Sequence, residues 1–188
     1  MKILIVLGSP RREGNSETVA EAVKRGAEAV GGEVESVYLN DLQIRPCQAC
    51  GGCSKTGHCI LKDEMELLYG KCDGADRIIL VSPIYFYGLS AQAKIFGDRM
   101  QAQWARRYLC RERFRRGEGR RGYLVSTAAT KGERLFESAI LTTRYIFDAM
   151  EMEYAGEFLV RGVDEKKAVL QQEGVMERAE LFGRGVAE

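Results

Sequence analysis

Hydrophobic and polar positions along the chain alternate between two rhythms, one that suits buried strands and one that suits half-buried helices. Lys2 to Leu7 is a short, nearly continuous apolar run, as expected of a strand covered on both faces. Turn formers follow it from Gly8 to Ser16, with Asn15 or Ser16 placed to cap a helix. Thr18 to Val30 then carries Val19, Ala22, Val23, Ala27 and Val30 at helical spacing, and Gly31-Gly32 stops it. Glu33 to Leu39 alternates as a second strand. A long excursion from Asn40 to Leu61 leads into a short helix near Asp63 to Lys71, and Arg77 to Val81 is a third buried strand ended by Ser82-Pro83. Gly88 to about Arg107 reads as one helix with Leu89, Ala93, Phe96, Met100 and Trp104 on a single face. Gly122 to Ser126 is a fourth strand, Glu133 to Met150 a helix and Glu153 to Val160 a fifth strand. The tail from Asp164 to Gly183 has the composition of a partly broken helix.

Five strands alternating with helices predict a doubly wound parallel sheet in an α/β architecture, because each parallel connection needs a crossover. The pattern alone does not separate a flavodoxin-like from a Rossmann-like strand order. Without repeats, low-complexity tracts or an interdomain linker, residues 1–188 read as one domain with a cysteine-rich loop at 45–61.

Charge narrows the function classes. The 28 basic and 27 acidic residues nearly cancel, leaving no global field to attract nucleic acid or an anionic membrane. The apolar runs are strand-sized, well short of the roughly 18 residues of a membrane span, and the N-terminus has no signal-peptide pattern. A cytoplasmic protein is expected.

Chemistry concentrates in the loops that follow the strands, where open α/β sheets bind ligands. The first, Ser9 to Ser16, opens a helix whose N-terminal N–H groups and dipole suit a phosphate. Ser9, Asn15, Ser16 and Thr18 add donors and Arg11 or Arg12 adds charge. The composition fits a monophosphate such as that of FMN better than a dinucleotide, and an ordinary capped turn is the plainer alternative. The third loop, Ser82-Pro83-Ile84-Tyr85-Phe86-Tyr87-Gly88-Leu89-Ser90, sets three aromatics between a proline and a glycine, a poor solvent loop but a good bed for a flat ring. After the fourth strand, Ser126 to Thr130, including Thr127, supplies small residues that let a ring approach the backbone.

The G-S-P-R-x-x-G-N-S opening, the S-P-I-Y-F-Y-G-L-S-A-Q-A-K stretch and the following F-G-D-R-M resemble the NAD(P)H-dependent FMN reductase superfamily, from Met1 to about Val160. The resemblance implies a flavodoxin-like three-layer sandwich with strand order 2-1-3-4-5. It implies FMN with its phosphate on Ser9, Arg11, Asn15, Ser16 and Thr18, and its ring against Pro83, Ile84, Tyr85, Phe86, Tyr87 and Gly88. It also implies a homodimer or tetramer. Ala128-Ala129 departs from a glycine pair common among relatives, so the third flavin loop, with Thr127, is the least well matched.

Four of the six cysteines fall in one short run, Cys47, Cys50, Cys53 and Cys59, spaced C-x2-C-x2-C-x5-C with glycines inside. In a reducing compartment such clustering points to metal or cluster ligation. Iron–sulfur clusters are held by thiolates and often begin C-x2-C-x2-C, which makes a [4Fe–4S] cluster the natural occupant. Structural zinc more often takes two separated cysteine pairs. The run resembles the motif of the iron–sulfur flavoproteins; extended to Asp63 it also looks like that of reductases in which the cysteines are plain thiols or a redox pair. With a cluster, the expected electron donor is a ferredoxin-like protein. Without one it is NAD(P)H, with free flavin or a quinone as acceptor. No protein acid or base is required for the flavin step, so no catalytic residue is assigned. Cys72 and Cys110 read as ordinary core or surface residues, His58 as an exposed loop residue, and the eight arginines between Arg106 and Arg121 as a solvated helix end and linker.

Overall fold

The computed structural model describes residues 1–115 and 117–188. Strands β1 (Lys2–Leu7), β2 (Glu33–Tyr38), β3 (Arg77–Tyr85), β4 (Gly88–Leu89), β5 (Arg121–Ala128) and β6 (Glu153–Arg161) join in the order β2-β1-β3-β5-β6, with β4 attached to β3 alone. All pairings on the main path are parallel. Leaving out the two-residue β4, this is the 2-1-3-4-5 order of the flavodoxin-like expectation.

Alternation of side chains across each strand divides the core into two halves. Ile3, Ile5 and Leu7 pack with α1 (Asn15–Glu28) and α6 (Val175–Ala187) on one face. Leu4 and Val6 pack with α2 (Met65–Gly74), α3 (Ala91–Arg99) and α5 (Glu137–Ala149) on the other. Helix α1 and helix α6 meet at backbone distance. A Cβ added at Gly26 would lie 1.9 Å from the Glu180 carbonyl oxygen, and one at Gly183 would lie 1.9 Å from that of Val23.

Two expectations change. The helix read from Gly88 to Arg107 begins with β4 and then splits at Met100 into α3 and α4 (Gln101–Tyr108). The split turns Trp104 out of the buried stripe, leaving it 37% exposed. The third strand also runs on past Ser82-Pro83, because Ile84 and Tyr85 pair antiparallel with Leu89 and Gly88 in a tight hairpin.

The arginine stretch is an ion-paired strap. Arg106 holds Asp73 through two bonds of 2.8 and 2.9 Å, Arg115 holds Asp76 at 2.6 Å and Arg113 holds Glu151 at 2.7 Å. Buried Arg120 donates to the carbonyls of Cys72, Ala75 and Met150. The segment is thereby tied to the ends of α2 and α5; Arg116 lies outside the described residues.

Replacing Gly183 by Ala should force α1 and α6 apart. Overpacking of this kind costs about 1–3 kcal/mol, a fall of several degrees in Tm for a chain of this size. An unchanged thermal melt would show that the two helices separate without cost.

Candidate functional site

The carboxyl ends of β1, β3 and β5 are joined by a chain of hydroxyls. Ser126 Oγ donates to the Ser82 carbonyl at 2.7 Å, and Ser82 Oγ accepts from the Ser90 N–H at 2.9 Å. Ser90 Oγ donates to the Gly8 carbonyl at 2.5 Å and, as N-cap of α3, accepts from Ala93 N–H. All three serines are fully buried. The relative position of the three ligand-side loops is therefore set by buried polar contacts that are costly to break.

These loops enclose a cleft of about 80 Å³ lined by Ser9, Arg11, Gly14, Asn15, Ser16, Pro83, Ile84, Tyr85, Thr127, Ala129, Val163 and Asp164. Eight of the twelve residues expected at a flavin thus come together, and the cleft's floor is the N-terminus of the fourteen-residue α1. A volume of this size suits a phosphate group. Ser16 Oγ and Thr127 Oγ1, 2.7 Å apart, bridge the first and third ligand loops.

Asn15 differs from expectation in where its side chain goes. Its amide nitrogen donates to the Val163 and Glu165 carbonyls at 3.2 and 2.9 Å, and its oxygen accepts from Val169 N–H at 3.1 Å. The carboxamide clips the segment after β6 into place as the fourth wall of the cleft, leaving the first turn of α1 to line the cleft through its backbone. Thr18 lies outside the cleft, its hydroxyl donating to the Gly14 carbonyl at 2.9 Å. Gly14, Ala129, Val163 and Asp164 line the cleft unforeseen, the last two brought in from over a hundred residues away by Asn15.

Phe86, Tyr87 and Gly88 form the hairpin tip beside the cleft. Phe86 and Tyr87 both adopt left-handed φ, 49° and 63°, the geometry of a two-residue hairpin turn that ordinarily selects Asn and Gly. Phe86 is 105% exposed, with Tyr85 and Tyr87 about half exposed beside it.

The second candidate centre is a cavity of about 420 Å³ lined by Cys47, Cys50, Cys53 and Cys59, together with Ile60, Leu61, Arg99 and Ala102. None of the four is in a disulfide. The loop is seated against α4: Cys53 Sγ lies 3.9 Å from the Gln101 carbonyl, and Gly57, at φ +69°, packs directly on Arg106 where a Cβ would fall 2.8 Å away. Burial first, and then the other three thiols, push the Cys53 thiol up. Among the described residues, no three histidine, cysteine or carboxylate side chains are gathered tightly enough to hold a single metal ion. Cys72 is buried in the core, where burial pushes its thiol up to about 12; Cys110 is half-buried near the Ser54 carbonyl, and His58 is exposed.

A wider groove of about 650 Å³ between α3–α4 and α5, lined by Trp104, Tyr108, Leu141 and Tyr145, adjoins the cysteine cavity through Asp98 and Gln101.

The sequence model described as NADPH-dependent FMN reductase matches residues 1–160. The chain belongs to the NADPH-dependent FMN reductase family. Within it, the chain is similar to two iron–sulfur flavoproteins of Archaeoglobus fulgidus. One is 39% identical over 100 residues, covering 53% of this chain and 46% of that protein. The other is 34% identical over 140 residues, covering 74% and 69%. The chain spans about half the length of the first of these. In fold it is similar to an NAD(P)H:quinone oxidoreductase from Methanothermobacter marburgensis, with a TM-score of 0.75 at 17% identity over 100% of this chain and 98% of that one. For this FMN reductase family member, the segment that Asn15 clips, Val163 to Val169, lies beyond the matched region. No helix among the described residues is long and apolar enough to cross a membrane.

Asp63 anchors the cysteine loop. It pairs with Arg99 through bonds of 2.7 and 3.1 Å and accepts from the Arg45 and Met65 N–H groups, each at 3.1 Å. Burial alone would raise its carboxyl, but these partners outweigh that and hold it below its ordinary value of 3.8. A lowered native value gives stability that is fully present above 3.8 and lost as pH falls through the native value. Asp63→Asn should therefore be less stable than the parent at neutral pH, with the gap narrowing in acid. A gap of constant size from pH 7 to 2 in denaturant melts would contradict this.

Proposed function

We propose that this chain is an FMN-dependent oxidoreductase that carries a [4Fe–4S] cluster and moves electrons between the two centres and an external partner. The carrying observation is that all four thiols of one short loop line a single cavity, none of them oxidised to a disulfide. Their number and softness fit an iron–sulfur cluster. A cavity broader than one ion needs fits a cluster better than zinc.

The FMN phosphate is assigned to the cleft of Ser9, Arg11, Ser16 and the first-turn N–H groups of α1, where hydroxyls, a guanidinium and the helix dipole converge. Asn15 keeps a part there through its backbone and through the wall it holds. The ring is assigned to the Pro83–Gly88 hairpin and Thr127, with exposed Tyr85, Phe86 and Tyr87 offering flat apolar faces. When bound, FMN supplies both hydride and single-electron exchange. The protein's part is to hold it, to orient its ring and to present the cysteine loop at the far end of α3. Helix α3 spans the two centres, beginning at hairpin-linked Ser90 and ending at Arg99 on the cysteine cavity.

With a cluster the assigned donor is a ferredoxin-like protein. A second reading, a cluster-free reductase using NAD(P)H with flavin or quinone as acceptor, is favoured by the absence, among the described residues, of three donors gathered for one ion. We assign residues 1–188 to one domain acting in the cytoplasm as a homodimer or tetramer, supported by the exposed hairpin and the Trp104 groove. A nucleic-acid role is not assigned, because much of the arginine stretch is paired with carboxylates.

The deciding test is FMN, iron and acid-labile sulfide content of protein purified without oxygen. About one FMN with four iron and four sulfide per chain is expected; FMN without iron selects the NAD(P)H-dependent reductase. Cys50→Ala should lose the iron and keep FMN, and normal iron in that variant would refute the ligand assignment. Asn15→Ala with Ser16→Ala should weaken FMN binding by roughly ten- to a hundredfold, the worth of the one hydrogen bond that Ser16 gives a charged group, with the wall that the Asn15 carboxamide holds lost besides. Unchanged affinity would exclude this cleft.

A further inference from the structure

Arg99 is a fully buried cation on the wall of the cysteine cavity, its side chain 0% exposed. Nη1 and Nη2 grip Asp63, Nη1 also donates to the Arg45 carbonyl at 2.8 Å just before Cys47, and Tyr69 O–H donates to the Arg99 carbonyl at 2.7 Å. The Nε atom, equally sealed from water, has no hydrogen-bond partner. A buried donor left unpaired needs an explanation, and so does a guanidinium placed on the wall of a cavity lined by four thiols. Paired with Asp63 alone, Arg99 would be neutralised within a structural clamp, and the clamp would leave Nε–H unused.

The surroundings identify an acceptor. Cys59 and Arg99 line the same cavity and Tyr69 bonds the Arg99 carbonyl, so the three groups share one small region behind the fourth cysteine. Four thiolates bring more negative charge than an iron–sulfide core neutralises, and in a partly dry pocket the excess needs a nearby cation.

We propose that Arg99 is a positioning residue of the cysteine site, held by Asp63 so that its charge and its unpaired Nε–H face the sulfur ligands and stabilise the more negative, reduced state of the cluster. This rests on the cluster reading above. It differs from a clamp in one respect: the charges of Arg99 and Asp63 act on the cluster with opposite sign, whereas a clamp fails the same way whichever half is removed.

The test compares wild type, Arg99→Gln and Asp63→Asn, purified without oxygen. FMN per chain reports the fold, iron and sulfide report the cluster, and an EPR-monitored reductive titration gives the cluster's midpoint potential. Arg99→Gln should move the potential more negative and Asp63→Asn more positive, with FMN retained in both. Shifts of the same sign, no shift, or loss of iron from both variants with FMN retained would reduce Arg99 to a clamp and overturn the proposal. Where Arg99→Gln does not retain FMN, Arg99→Lys takes its place. It keeps the charge and removes Nε–H, so an altered EPR spectrum of the reduced cluster is expected and an unaltered one overturns the proposal. Wild-type protein without iron overturns the cluster reading itself, and this inference with it.

Discussion

Parallel pairing imposes one constraint from which the functional geometry follows. In the order β2-β1-β3-β5-β6 every main strand points the same way, so the chain leaves each strand at one edge and returns through a helix to the other. The Ser9–Ser16 loop follows β1, the aromatic hairpin follows β3 and the Thr127 loop follows β5. Loops far apart in sequence are thereby delivered to one rim. The buried serines at 82, 90 and 126 convert that neighbourhood into fixed distances, since each satisfies a backbone group of another element.

Much of this was legible because the strands are nearly continuous apolar runs, which only a sheet covered on both faces accommodates. Lys2–Leu7 was bounded correctly at both ends for that reason. The candidate residues around the cleft were legible because their chemistry is local: Ser9, Arg11 and Ser16 sit within one loop and need only a helix start to converge. What escaped depends on partners distant in sequence. Nothing near Asn15 says that its carboxamide will bind residues 163–169, and nothing near Arg99, in a run that also holds Lys94 and Asp98, marks it as buried. Its burial comes from Asp63 and from the carbonyl of Arg45, both on the far side of α2. The split at Met100 escaped because periodicity continues through it, and the Trp104 N–H still bonds the Met100 carbonyl.

The buried pair also explains why a long, glycine-rich loop can hold four cysteines in one place. Loops carrying several glycines lose much entropy on ordering, so a cysteine run of this kind needs anchors at both ends. Asp63 provides them together: it accepts from Arg45 N–H before the first cysteine and from Met65 N–H after the last, while Arg99 ties the arrangement to α3. The same three contacts place the only fully buried positive charge among the residues lining that cavity.

The hairpin tip follows a different logic. Asn-Gly or Asp-Gly would make the turn between Tyr85 and Gly88 without strain, yet Phe86 and Tyr87 occupy its two left-handed positions, at a cost on the order of 1–3 kcal/mol each. Burial does not repay it, because Phe86 has no cover at all. Nor does pairing, since β4 is only two residues long. Strain and exposed aromatic surface that stability does not explain coincide at the mouth of a phosphate-sized cleft. The economical account is that the return comes on binding, when a flat ring or a facing subunit covers these side chains and removes their apolar area from water. The cleft suits a phosphate, and a ring attached to one would extend along Pro83, Ile84 and Tyr85 at its wall. On the proposed assignment the hairpin is where that ring lies.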